Sequence, residues 1–75
     1  MPRTPIYEQV IADITASIEA GVLKPGDKLP TLTEFCEQYQ ASLQPIRYAM
    51  RILDERGLIE IHQGRGTFVK ERPQT

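Results

Sequence analysis

Two short stretches of this sequence carry side chains able to recognise another molecule by shape, charge and hydrogen bonding. The first runs from Leu43 to Leu53. If it is helical, Ile46, Ala49, Met50 and Leu53 form one apolar stripe, and Leu43, Gln44, Arg47, Tyr48 and Arg51 face outward. A glutamine amide sets a donor beside an acceptor, which matches the edge of adenine. An arginine fork matches guanine or grips a phosphate, and Leu43 can touch a thymine methyl group. The second stretch is Gln63-Gly64-Arg65-Gly66-Thr67. Glycines on both sides of Arg65 let backbone approach backbone, and an arginine on such a tip suits insertion into a minor groove. Gln63 and Thr67 flank it with groups that can bond phosphates. The chemistry points to duplex DNA. The plainer reading is a solvated helix face and an ordinary tight turn.

Other chemistries lack their parts. Cys36 is the one cysteine, so neither an internal disulfide nor a four-ligand zinc site can form. It is expected in the core, where free cysteine behaves as a small hydrophobe. His62 is the one histidine and has no companion ligands; beside the second stretch it could approach DNA. Tyr7 can serve the core or reach a phosphate through its hydroxyl. Gly64-x-Gly66 is too short for a phosphate loop and precedes a strand rather than a helix. No nucleophile–base pair or carboxylate cluster appears, so no enzyme activity, no cofactor and no metal are expected.

A chain of 75 residues is read as a single domain over 1–75, with an ordered core over about 5–70 and a flexible polar tail over 71–75. Hydrophobic content of 40% and charged content of 25% are ordinary for a globular protein and argue against a disordered chain. No apolar run approaches a membrane span, and the start lacks the apolar stretch of a signal peptide, so no membrane partner and a cytoplasmic location are expected. The net charge is −1, but it is unevenly spread. Residues 1–42 hold three basic against six acidic side chains, whereas residues 43–75 hold six basic against four acidic. Phosphate binding needs a local basic face, whatever the total.

The elements that would position these residues can be read from caps and periods. Thr4 as N-cap and Pro5 as first residue open a helix to about Ala20, with Ile6, Val10, Ile11, Ile14 and Ile18 on its apolar stripe. Gly21 ends it. Pro25-Gly26 is a turn, and Leu29 anchors the core on a very short strand. Thr31-Leu32-Thr33-Glu34 has capping-box spacing and starts a second helix over Leu32 to Tyr39, burying Phe35, Cys36 and Tyr39. After the turn Gln40-Ala41-Ser42, Ser42 caps a third helix that reaches about Arg56 and stops at Gly57. Thr31 and Ser42, each at a helix N-terminus, can also face a phosphate. Leu58 to His62 then alternates as a half-buried strand, 63–66 forms the tip, and 67–70 returns. The fold class is mainly α with a small β-hairpin: a three-helix winged helix-turn-helix.

At this spacing the sequence resembles the N-terminal DNA-binding domain of the GntR family of bacterial transcriptional regulators. The resemblance rests on Pro5-Ile6-Tyr7-Glu8-Gln9, the run Gly21 to Pro30, Glu34, Arg47, Ala49, Leu53, Gly57-Leu58-Ile59 and the run Gln63 to Val69. It spans 5–69. It implies sequence-specific duplex DNA binding as a transcriptional regulator of repressor type, with helix 3 in the major groove and the wing at the backbone or minor groove. The DNA-contacting set is then Thr31, Ser42, Leu43, Gln44, Arg47, Tyr48, Arg51, Gln63, Gly64, Arg65, Gly66 and Thr67. The family pattern has arginines where this chain has Thr33 and Leu43, and a glycine where it has Gln40, so a base preference unlike the family's usual one is expected. The resemblance also implies a homodimer on DNA, and a C-terminal effector-binding domain outside these residues unless the regulator is naturally short. The alternative is a winged-helix protein–protein interaction module with weak or lost DNA binding.

Overall fold

The computed structural model describes residues 4–70. In chain order it comprises α1 (Ile6–Glu19), α2 (Leu32–Tyr39), α3 (Leu43–Glu55), β1 (Ile59–His62) and β2 (Gly66–Val69). The tail expected over 71–75 lies outside the described residues. This is the winged helix-turn-helix plan that the caps and periods imply.

Helix α1 starts one residue later than its sequence suggests. Pro5, not Thr4, is the N-cap, with ψ 149° and no side-chain cap bond. The Pro5 carbonyl accepts the first helical bond from the Gln9 N–H at 3.1 Å. The Thr4 carbonyl instead accepts from the Gln9 side-chain amide at 2.8 Å. Helix α2 begins with the expected capping box. Thr31 Oγ1 accepts from the Glu34 N–H at 3.1 Å, and Glu34 Oε1 accepts from the Thr31 N–H at 2.8 Å. The helix ends at Gln40, which takes the left-handed conformation (φ 51°, ψ 50°). That conformation costs a side-chain-bearing residue about 1–2 kcal/mol. It is what turns the chain sharply enough to start α3 three residues later.

Val10, Ile46, Leu53 and Ile59 are fully buried and join α1, α3 and β1. Phe35 from α2, Leu29 and Val69 close the same core. Truncating Leu53 to alanine should cost about 2–5 kcal/mol, a large share of what so small a domain has. Cys36 and Tyr39 were expected inside, but both are only partly buried against this core. Tyr39 has a reason to stay near the surface: its hydroxyl donates to Asp13 Oδ2 at 2.6 Å, tying α2 to α1. Burial, followed by that bond and the Asp13 charge, pushes the phenol well above its ordinary range.

The hairpin pairs β1 with β2 in the register Ile59–Val69, Glu60–Phe68, Ile61–Thr67 and His62–Gly66. A third, one-residue strand joins its edge. Lys28 bridges Phe68, the Leu29 N–H donates to the Thr67 carbonyl at 2.8 Å, and the Val69 N–H donates to the Asp27 carbonyl at 2.8 Å. A lone hairpin would be marginal; here Leu29 and the core anchor it. Alternation along β1 predicts a half-buried strand, but only Ile59 is buried and Ile61 stays 48% exposed. The strand runs past the end of the core, so its second inward position overhangs α3.

Candidate nucleic-acid interface

Helix α3 keeps its apolar stripe inside: Ile46, Ala49, Met50 and Leu53 are buried. Leu43, Gln44, Arg47, Tyr48 and Arg51 are exposed, as their positions between the stripe residues require. Gln44, Arg47, Tyr48 and Arg51 line one shallow hollow on this face. Arg51 Nε lies 3.4 Å from Glu55 Oε1 one turn on. Both ends are mostly exposed, so this pair is worth about 0.3–0.5 kcal/mol and yields to a phosphate at small cost. Among the described residues Arg47 has no ion-pair partner.

The hairpin is joined to that surface on one side only. Ile61 and Thr67 are cross-strand partners and share a face. With Arg47, Arg51 and Asp54 they line a groove between α3 and the wing, together with Leu32 and Met50. The opposite face carries Glu60, His62 and Phe68. There His62 Nε2 lies 3.2 Å from Glu60 Oε2, and the His62 ring meets Phe68 edge-on at 5.5 Å. At the tip the Arg65 N–H donates to the His62 carbonyl at 3.0 Å and closes the turn. Gly64, at φ 81°, holds a backbone conformation that would strain any larger residue. Gly66, at φ 124°, has a second constraint: a Cβ there would lie 2.8 Å from Lys28 Cε. Arg65 is exposed and contributes to a hollow with His62, Glu60 and Phe68. Gln63 and Arg65 thus project from the tip, while Thr67 belongs to the α3 groove.

The two helix N-termini differ. Thr31 is engaged by Glu34, and that hydrogen bond from the Thr31 N–H is the main reason the Glu34 carboxyl sits below its ordinary range. Ser42 occupies the N-cap position of α3 but makes no side-chain cap bond. The third residue of α3 is Pro45, which has no N–H to offer the serine hydroxyl.

Sequence reasoning passed over Lys28 and Ile61. Lys28 lies across Gly66, and its charge also reaches Glu34 at the head of α2, so it adds a cation between wing and helix. The β-bridge that puts it there is a long-range contact with no local signal. Ile61 looked like a core residue by period. Among the described residues no group of three or more His, Cys, Asp or Glu is arranged to hold a metal, and no helix is long and apolar enough to cross a membrane.

The family model described as "Bacterial regulatory proteins, gntR family" matches residues 6–69. The chain belongs to the GntR family. It is 39% identical over 72 residues to the HTH-type transcriptional repressor YtrA of Bacillus subtilis (strain 168), covering 96% of this chain and 55% of that protein. It is 41% identical over 71 residues to the mannosyl-D-glycerate transport/metabolism system repressor MngR of Escherichia coli (strain K12), covering 95% of this chain and 30% of MngR. The chain therefore spans about half of one GntR relative and less than a third of the other. Among solved structures, the AraR DNA-binding domain in complex with operator ORX1 superposes with a TM-score of 0.85 at 39% identity, covering 89% of this chain and 81% of that one. The GntR-family transcription factor YtrA of Sulfolobus acidocaldarius superposes with a TM-score of 0.87 at 32% identity, covering 99% and 63%.

Proposed function

We propose that this GntR-family domain reads duplex DNA sequence-specifically, as the DNA-binding part of a transcriptional repressor. The observation that carries this is the single surface on which the exposed Arg47 and Arg51 of α3 share a groove with Thr67 of the wing. A phosphate backbone laid in that groove would put the outer face of α3 into the major groove and the Gln63–Arg65 tip over the adjacent backbone or minor groove. The AraR domain, alike in fold and 39% identical, is described with its operator, which supports the same docking.

In this reading Gln44 and Arg47 reach base edges, with Leu43 and Tyr48 giving apolar and aromatic contact. Ser42, Arg51, Gln63, Thr67 and the backbone at Gly64 and Gly66 hold phosphates, and Arg65 enters the minor groove. Thr31, whose hydroxyl and N–H are both engaged by Glu34, serves as the cap of α2 rather than as a phosphate contact. Two copies read two half-sites, as regulators of this shape commonly do. The domain works where the chromosome is, in the cytoplasm, and an effector-binding domain like those of longer regulators would govern the pairing.

Fluorescence anisotropy with a duplex selected from a random library tests this. Affinity should fall steeply with salt, by about one power of ten in binding constant per tenfold salt for each phosphate neutralised. Arg51→Ala should lower that slope by about one phosphate's worth. A flat salt dependence with no selected sequence would sink the DNA reading in favour of a protein-binding module. A two-fold symmetric selected site is the expected sign of a dimer.

A further inference from the structure

We propose that Tyr7, at the start of α1, is a positioning residue for recognition: its ring holds Tyr48 in the orientation that α3 presents to DNA. The inference rests on the DNA reading of α3 given above. Tyr48 stands among the contact residues, lining the same hollow as Gln44, Arg47 and Arg51. It is 50% exposed. A side chain that open on a helix face ordinarily samples several rotamers, and ordering it on binding costs affinity. Here one partner limits that freedom. The Tyr7 and Tyr48 rings lie 4.8 Å apart at 72°, the edge-to-face geometry that aromatic quadrupoles favour.

The two rings are held unequally, which gives the contact a direction. Tyr7 is half-buried and packs against the core, one turn before the buried Val10 and Ile11. The chain entering α1 is pinned by the Gln9 amide on the Thr4 carbonyl. Tyr7 is thus the platform and Tyr48 the supported group. Among the described residues no hydrogen bond to the Tyr7 hydroxyl is present, so the ring rather than the hydroxyl provides the support. Tyr48 arrives at DNA already ordered, and α1, which need not touch a base, tunes what α3 reads.

The first test needs no DNA. Side-chain χ1 couplings of Tyr48, measured by NMR on the free chain, should report one rotamer in the wild type and in Tyr7→Phe, and an average of several in Tyr7→Leu. The second compares the library-selected duplex with an unrelated duplex of equal length. Tyr7→Leu should weaken the selected duplex about threefold to tenfold, the cost of ordering one side chain, and leave the unrelated one unchanged. Tyr7→Phe should bind like the wild type. In a Tyr48→Ala background, Tyr7→Leu should have no further effect. If leucine lowers the melting point below the assay temperature, Tyr7→Met takes its place. A single Tyr48 rotamer in the apolar variant, an equal loss on both duplexes, or an undiminished effect without Tyr48 would each overturn the proposal. So would a Tyr7→Phe as damaging as leucine, which would assign the hydroxyl itself to DNA. If Arg47→Ala and Arg65→Ala leave binding untouched, the DNA reading falls first and this inference falls with it.

Discussion

Helices α2 and α3 both begin on a hydroxyl residue in extended conformation, Thr31 at φ −70°, ψ 165° and Ser42 at φ −75°, ψ 173°. At α2 the third helical residue is Glu34, which both donates its N–H to the threonine hydroxyl and returns a carboxylate to the threonine N–H. At α3 the third residue is Pro45, which can do neither. The N–H groups of Leu43 and Gln44 and the Ser42 hydroxyl are left for an outside acceptor. The carboxylate at α2 repels a phosphate and stabilises the helix; the open end at α3 is less stable by itself and ready for an anion. One helix closes its cap on itself; the other leaves its cap open, where the DNA reading proposed above would place a phosphate.

Substitutions can break or sharpen that contrast. The largest effect is expected just inside the open end. Arg47→Ala should weaken the selected duplex by about 10- to 100-fold, as loss of a bidentate base or phosphate contact does, with the melting temperature nearly unchanged. An anisotropy titration at fixed salt alongside a thermal melt reads both. If affinity and melting temperature fell together, Arg47 would belong to the fold rather than to the interface. Thr31→Ala should do the reverse. It removes a closed cap worth about 1 kcal/mol and should lower the melting temperature by roughly 4–8 °C, with DNA affinity of the folded fraction little altered. Ser42→Ala should leave stability nearly untouched, because no cap bond is lost, and weaken DNA binding by a few-fold, as one hydrogen bond of about 1 kcal/mol would. Equal melting-point losses for the two alanine variants would erase the distinction.

The turn between the two helices gives a further check. Gln40→Gly should raise stability by about 0.5–1 kcal/mol, because relief of left-handed strain exceeds the added flexibility of the unfolded chain. A urea midpoint that failed to rise would place the strain elsewhere. The smallest effect concerns protons. The folded-state Glu34 carboxyl lies below its ordinary 4.5, so its support of α2 is complete above that value and fades as pH falls through the folded value. The stability gap between the wild type and Glu34→Ala should therefore be full near neutrality and shrink in acid. A gap independent of pH would mean that the carboxylate charge adds nothing to the box.

Most of the scaffold was legible because its signals are local. The capping box at Thr31 and Glu34 needs only three residues of separation, and the stripe of Ile46, Ala49, Met50 and Leu53 needs only the helical period. The same stripe placed Gln44, Arg47, Tyr48 and Arg51 on the outer face before any coordinates. The errors arose where two local rules compete or where distance along the chain is large. Thr4-Pro5 reads as a cap and a first helical residue, but proline's preference for that position competes with the bond from the Gln9 amide to the Thr4 carbonyl, and Pro5 stays extended as the cap. Ile61 had the right period for a core position, but the core ends before the strand does.

By itself, then, the sequence determined which residues turn outward on α3, where each helix begins and ends within a residue, and that glycines hold the wing tip open. Those properties follow from backbone preferences and side-chain period, which act over a few residues. Tertiary structure alone decided what lies beside what: Thr67 facing Arg47 across one groove, Lys28 lying over Gly66, and Tyr7 braced against Tyr48. Such pairs join residues far apart in the chain and are set by how apolar faces pack, which no local pattern records.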